Sequence, residues 1–218
     1  MKIRYRSAAP MLAMLLSAAP ASADDERWYF AGNLGAGDLA ATTLSYTAGE
    51  TAVASVDFDV SFAGGATIGY RLTDRFSVEG DIKYRRNEFG AVDLGDLGSF
   101  SGGDFASLGI GVNLLYRFAI TDDGRFSGYV GPGFLYFQEI DIDFDNASQQ
   151  EVSFESDDSG LQFKLGGQYA LSERWFVGAE ATYLAGGSVT MELPSDNSQT
   201  LSADYDHWTV SFNGGFRF

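Results

Sequence analysis

The clearest pattern in the chain is the period-two alternation across residues 66–87, ATIGYRLTDRFSVEGDIKYRRN. Ala66, Ile68, Tyr70 and Leu72 share one parity, and after a polar turn at Thr73 and Asp74 that parity continues as Phe76, Val78, Gly80, Ile82 and Tyr84. The other parity holds Thr67, Gly69, Arg71, Ser77, Glu79, Asp81, Lys83 and Arg85. Side chains of a strand alternate between two faces, so the segment predicts a hairpin with one apolar face and every charge on the opposite one.

The same pattern recurs along the chain. Residues 27–37 predict a first strand and 58–72 a second, which leads into the hairpin. Residues 104–118 set Ala106, Leu108, Ile110, Val112, Leu114, Tyr116 and Phe118 against Ser107, Asn113 and Arg117. Residues 125–139 place Phe126, Val130, Phe134 and Tyr136 together, and the alternation runs on through Ile140-Asp141-Ile142-Asp143-Phe144-Asp145, so this strand is expected to protrude past its neighbours. Residues 161–171, 174–183 and 207–218 complete the set, the last placing Trp208, Val210, Phe212, Phe216 and Phe218 opposite His207, Thr209, Ser211, Asn213 and Arg217.

Between these strands, long connections (38–57, 88–103, 140–159 and 186–206) alternate with short ones (73–74, 120–124 and 172–173). That alternation is the layout of an all-β, eight-stranded, antiparallel up-and-down transmembrane β-barrel, with short periplasmic turns and longer external loops. Each strand reaches the roughly 9–11 residues that a tilted membrane strand needs. A ladder of Glu79, Asp81, Lys83, Arg85, Lys164 and Glu180 on one face argues for apolar-out and polar-in; a secreted lipocalin-like barrel has the inverse sidedness. Aromatic residues at strand ends fit interfacial girdles: Trp28, Tyr70, Phe76, Tyr116 and Trp175 at one rim, Tyr84, Tyr136, Tyr183 and Trp208 at the other.

Composition sharpens this picture. Residues 1–23 read as a secretory signal, with Lys2, Arg4 and Arg6 before an apolar stretch and Ala21-Ser22-Ala23 as the cleavage site, leaving one domain over 24–218. Removing three basic residues moves the formal net charge from −16 to −19, which makes nucleic acid an unsuitable partner. Zero cysteines exclude a disulfide framework and thiolate metal sites. No phosphate loop is present, and the sequence calls for no cofactor.

The eight-strand layout, the hairpins GYRLTDRFSVEGDIKY and GGQYALSERWFVGAEATY, and the closing WTVSFNGGFRF resemble the small outer-membrane barrel families typified by OmpA, OmpX and the opacity proteins. The resemblance implies residence in the outer membrane of a Gram-negative bacterium and insertion by the barrel-assembly machinery through the terminal Phe218. Unlike a resemblance to full OmpA, a resemblance confined to the barrel implies no peptidoglycan-binding domain.

An eight-stranded barrel is just wide enough for side chains to fill. Glu79, Asp81, Lys83, Arg85, Arg117, Lys164, Glu180 and Arg217 are therefore expected to form a lumen ion-pair network, because unpaired charges in that space are costly. The long connections carry Asp38, Glu50, Asp57, Asp93, Asp96, Asp141, Asp143, Asp145, Glu151, Glu155, Asp157, Asp158, Glu192, Asp196, Asp204 and Asp206, with no Lys or Arg beside them. Such a rim attracts cations or basic partners and meets anionic lipopolysaccharide only through divalent ions. Asp141, Asp143 and Asp145 are candidate calcium ligands, although a strand sets them in a row rather than in a tight loop.

His207, the one histidine, stands beside Asp206 with Thr209 two residues on. Barrel lipid A deacylases use His-x-Ser, here His207-x-Thr209, and omptin proteases use Asp-x-His, whereas Asp206 and His207 are adjacent and face opposite ways. The expected function is non-enzymatic: a barrel presenting acidic loops for envelope integrity, adhesion or contact with an extracellular partner. A narrow porin-like channel for small solutes or ions is the alternative, and a lipid A-modifying enzyme stands behind both.

Overall fold

The computed structural model describes residues 27–218 apart from 41, 49, 96–97 and 146–151. The expected signal segment, Asp96 and Glu151 lie outside the described residues. Eight antiparallel strands form a closed ring: β1 (Trp28–Leu39), β4 (Ser61–Arg71), β5 (Phe76–Phe89), β8 (Gly102–Ala119), β9 (Phe126–Asp145), β10 (Val152–Ala170), β11 (Trp175–Leu193) and β12 (Asp196–Arg217). β12 returns to β1 over a ladder from Tyr29↔Arg217 to Leu39↔His207, so the membrane band has no open edge. The short turns are closed by hydroxyls: Thr73 Oγ1 accepts from the Phe76 amide at 3.0 Å, Ser172 Oγ from Trp175 at 3.0 Å and Thr121 Oγ1 from Phe126 at 3.1 Å. Small polar side chains at these positions offer the backbone a local partner where the ladder reverses.

Within the membrane band the outward parity is apolar, as the alternation predicts. Ile82, Ile110, Val112, Leu114, Phe163, Leu165, Val177 and Val210 are exposed on the cylinder wall. Ring pairs mark the lower rim, Trp28–Tyr70 at 4.8 Å and Phe76–Tyr116 at 5.5 Å, and Tyr183–Trp208 at 4.8 Å marks the upper one. Two inward glycines make room for lumen tyrosines: a Cβ at Gly69 would run into the Tyr29 ring and one at Gly166 into the Tyr129 ring.

Above the upper rim the fold departs from expectation. Three of the four long connections are largely strand. β2 (Thr42–Ala48) and β3 (Glu50–Val56) form a hairpin whose first strand adds to β12 through Ser202↔Ser45 to Thr200↔Thr47. β9 pairs with β10 as far as Phe144↔Val152, and β11 with β12 as far as Leu193↔Asp196. Among its described residues, the fourth connection carries the two-residue strands β6 (Val92–Asp93) and β7 (Ser99–Phe100). The weakly alternating, Ala- and Thr-rich 38–57 stretch becomes strand because β12 overhangs the membrane band and offers it a free edge to pair with.

The extension also inverts the sidedness of the band below it. Its interior is apolar, built from Leu39, Leu44, Phe89, Phe105, Phe137, Ile140, Ile142, Phe144, Phe154, Met191 and Leu201, all buried. On β9 and β11 a bulge exchanges the faces, whereas Phe89, Phe105, Phe154 and Leu201 keep the lumen parity of their strands, where the inward residues simply change from charged to apolar. On β9 both Gln138 and Glu139 face out, and the ladder to β8 steps from Gly109↔Phe137 to Leu108↔Glu139. On β11 the ladder steps from Ala185↔Asp206 to Ser188↔Asp204, with Gly187 at φ +71° and Asp206 Oδ1 accepting from the Gly186 and Gly187 amides at 3.0 and 3.1 Å. One extra residue exchanges the two faces of a strand. Ile140, Ile142 and Phe144, in parity with the lipid-facing Tyr136, thereby turn inward, and Asp141 and Asp143 turn out.

Candidate functional site

The barrel interior below the rim is a polar plug contributed by nearly every strand. Lys164 on β10 lies at its centre, within 2.8 Å of Asp81, 3.0 Å of Glu79 and 3.7 Å of Glu180. Lys83 completes Glu180 at 3.3 Å. Arg117 reaches Glu79 at 3.4 Å, donates to Ser77 at 2.9 Å, to Gln168 at 3.0 Å and to the Tyr29 hydroxyl at 2.7 Å, and lies 4.8 Å above the Tyr29 ring. Tyr29 donates in turn to Glu79 at 2.6 Å, and Tyr129 to Glu180 at 2.9 Å. Thr67 and Asn113 each donate to Asp81 at 2.8 Å, so the carboxylates are both paired and hydrogen-bonded, as buried charges require. The gap left among Tyr29, Asn33, Glu79, Tyr129, Gln168 and Asn213 is about 10 Å³, room for about one water.

Six of the eight residues assigned to a lumen network (Glu79, Asp81, Lys83, Arg117, Lys164 and Glu180) meet here. The other two do not. Arg217 sits at the periplasmic mouth, at the end of β12, donating to the Glu173 carbonyl at 3.3 Å and lying 5.2 Å over the Phe176 ring. Arg85 is at the top of the plug; its Nε points to Thr209 Oγ1 at 3.4 Å, and the three carboxylates below are already matched by Lys83, Arg117 and Lys164. Tyr29 and Tyr129 were the members that charge alone missed. Their inward parity next to small residues was the available signal, since a large ring beside glycine on a lumen face has to cross the barrel.

His207 is also inside rather than at a rim: it is 3% exposed, its ring is 5.4 Å from Tyr205, and Asp206 faces away to clamp the β11 bulge. No carboxylate orients it, so the described residues do not assemble a nucleophile–base pair around it. Asp141, Asp143 and Asp145 alternate along the outer face of β9, and among the described residues no three His, Cys, Asp or Glu side chains converge for a metal ion.

One pleat above Tyr84, an outward groove of about 640 Å³ gathers Asp104, Glu139, Asp141, Asp143 and Glu155 around one cation, Arg86, which holds Asp104 at 3.0 Å. Partial burial, then the neighbouring carboxylates of Asp143, Glu139, Asp104 and Glu155, push the Asp141 carboxyl up to about 7. A raised folded-state value means that the proton favours the fold: the stabilisation is complete below the ordinary carboxylate value near ~4 and is lost as pH rises through about 7. Asp141→Asn is therefore expected to match the wild type near pH 4 and exceed it in stability at pH 8, measured by the urea midpoint of the extracellular extension; equal midpoints at pH 8 would contradict the repulsion.

Comparison with known proteins places this geometry. The outer membrane protein beta-barrel domain family matches residues 8–218. The outer membrane protein W of Vibrio cholerae serotype O1 is 26% identical over 167 residues, covering 71% of this chain and 72% of that protein. Among solved structures, the outer membrane protein OprG of Pseudomonas aeruginosa superposes with a TM-score of 0.64 at 20% identity, over 89% of this chain and 99% of that one. AlkL, an outer membrane protein solved in lipid bilayers, superposes with a TM-score of 0.52 at 17% identity, over 92% and 94%.

Proposed function

Because the chain belongs to the outer membrane protein beta-barrel domain family, we propose that it is a non-enzymatic barrel, shut to free aqueous passage, whose folded extracellular extension does the work at the cell surface. The observation that carries this reading is the filled lumen beneath an ordered extension. Seven charged side chains are buried in the band, and the gap beside Glu79 and Glu180 has room for about one water. The outward acidic face of β8, β9 and β10 sits just above the aromatic rim, at the height of lipid headgroups. There it meets lipopolysaccharide through divalent cations, or a basic extracellular partner, rather than bare phosphates.

The leader is removed near Ala23 on export, and Phe218, whose amide donates to the Trp28 carbonyl at 2.9 Å to lock the seam, serves as the assembly signal. A narrow conducting path would require the Lys164 centre to come apart. Planar-bilayer recordings of the full chain are accordingly expected to show no stable unit steps; reproducible steps would replace this reading with the channel. Lipid A mass spectra are expected to be identical with and without expression, and an acyl loss abolished by His207→Ala would establish an enzyme instead.

A further inference from the structure

Charge accounting inside the barrel leaves one cation over. Among the described residues the buried charged side chains are Glu79, Asp81 and Glu180 against Lys83, Arg85, Arg117 and Lys164. Lys164 touches all three carboxylates, Arg117 takes Glu79 and Lys83 takes Glu180. Arg85 takes none of them. It is 2% exposed, its Nε points to Thr209 Oγ1 at 3.4 Å, and among the described residues both terminal guanidinium nitrogens lack a partner. A guanidinium keeps its charge at every pH a cell meets, so it cannot escape the cost of burial by losing a proton. Water can satisfy its N–H groups but does not cancel the charge; an anion does both.

A second unpartnered group lies at the same height. Arg85 on β5 pairs in register with Ser107 on β8, and Ser107 shares a 2.7 Å hydrogen bond with Tyr205 on β12, so those two hydroxyls serve each other. His207 lies two residues from both Tyr205 and Thr209 on the same inward face of β12. It is 3% exposed, its ring is 5.4 Å from Tyr205, and among the described residues neither ring nitrogen has a partner. Either tautomer of a neutral imidazole has one N–H to donate. The surroundings limit what these donors can hold. Leu39 and Leu184 flank His207 in the adjacent ladders, Phe105 and Phe137 lie 4.8 and 5.4 Å from the Tyr205 ring, and below, Lys83 is already engaged by Glu180 and Thr182. Between packed rings and a filled plug, the group that fits is compact, singly charged and accepts hydrogen bonds from any direction, and a weakly hydrated halide loses least on leaving water.

We propose that Arg85 and His207 hold one small monovalent anion of the halide class, chloride in ordinary salt, at the level where the charged plug ends. The ion accepts from the two terminal nitrogens of Arg85 and from the N–H of His207, and it brings the buried charge of the barrel to zero. It is a structural ion. The closed ring encloses it and the unfolded chain has no such site, so its binding is read as stability.

Urea unfolding of the full chain from lipid vesicles at constant ionic strength, with potassium chloride replacing potassium gluconate, measures that linkage. Raising chloride from about 1 mM to about 300 mM is expected to lower the unfolding equilibrium constant at least about tenfold, with bromide acting as chloride does. In Arg85→Gln the dependence is expected to vanish, and in His207→Phe to move to higher chloride concentration. Crystals of the full chain grown in bromide are expected to show an anomalous peak within hydrogen-bonding distance of the Arg85 terminal nitrogens. A flat chloride series for the unaltered chain, the result if water alone serves Arg85, would overturn the proposal, as would an equal dependence in Arg85→Gln or the absence of a bromide peak at Arg85. A bromide peak without any effect on unfolding would mark an adventitious ion only and would refute the structural role. The chloride series and the bromide peak on the unaltered chain keep the proposal refutable even if Arg85→Gln fails to fold.

Discussion

Lys164→Met is expected to be the most damaging single substitution in the membrane band, lowering the stability of the barrel by about 3–5 kcal/mol, because removing one partner strands buried carboxylate charge. The lysine contacts all three plug carboxylates, and without it Glu79, Asp81 and Glu180 would share Lys83 and Arg117 alone. Methionine keeps the volume, so the loss reports charge rather than packing. Reversible urea unfolding from lipid vesicles, followed by tryptophan fluorescence, measures it. Neutralising the carboxylate that Lys164 approaches most closely should recover part of the loss, so Lys164→Met with Asp81→Asn is expected to be more stable than Lys164→Met alone. A Lys164→Met midpoint within experimental error of the wild type would mean that the plug contributes nothing to holding the cylinder together.

In the extension the largest effect is expected from Ile142→Asp, which should remove about 3–5 kcal/mol and dismantle the extracellular half while the band below persists, since it both empties a packed site and buries a charge. Ile142 is fully buried among Phe105, Phe144 and Phe154, whereas its neighbour Asp143 faces outward. Asp143→Ile should therefore be tolerated. Proteinase K added to intact cells separates the two: Ile142→Asp is expected to lose its extracellular half at concentrations that leave the wild type and Asp143→Ile uncut. The opposite ranking would mean that the lipid-facing parity continues past the bulge at Gln138 and Glu139.

The hydrophobic pattern by itself determined the barrel. In strands such as β5, the 79-81-83-85 ladder and its apolar counterface leave one sidedness once the lumen is too narrow for anything except paired charges, and the Thr73 and Ser172 turns fix where the chain reverses. It also marked most of the plug, because a Glu, Asp or Lys on the lumen parity of a closed cylinder has nowhere else to go. The tertiary structure decided what lies above the membrane. Period-two alternation does not record a bulge, so Ile140, Ile142 and Phe144 read as a continuation of the Tyr136 face until one extra residue turned them inward. The 38–57 stretch has too little pattern to declare itself, and it became strand only because β12 outran its partner and left an edge unpaired. Which cation is left without a carboxylate is likewise a property of the closed ring: Lys83 and Arg85 are two residues apart on one face, and only the height at which the neighbouring strands deliver Glu180 gives one of them a partner and leaves the other without one.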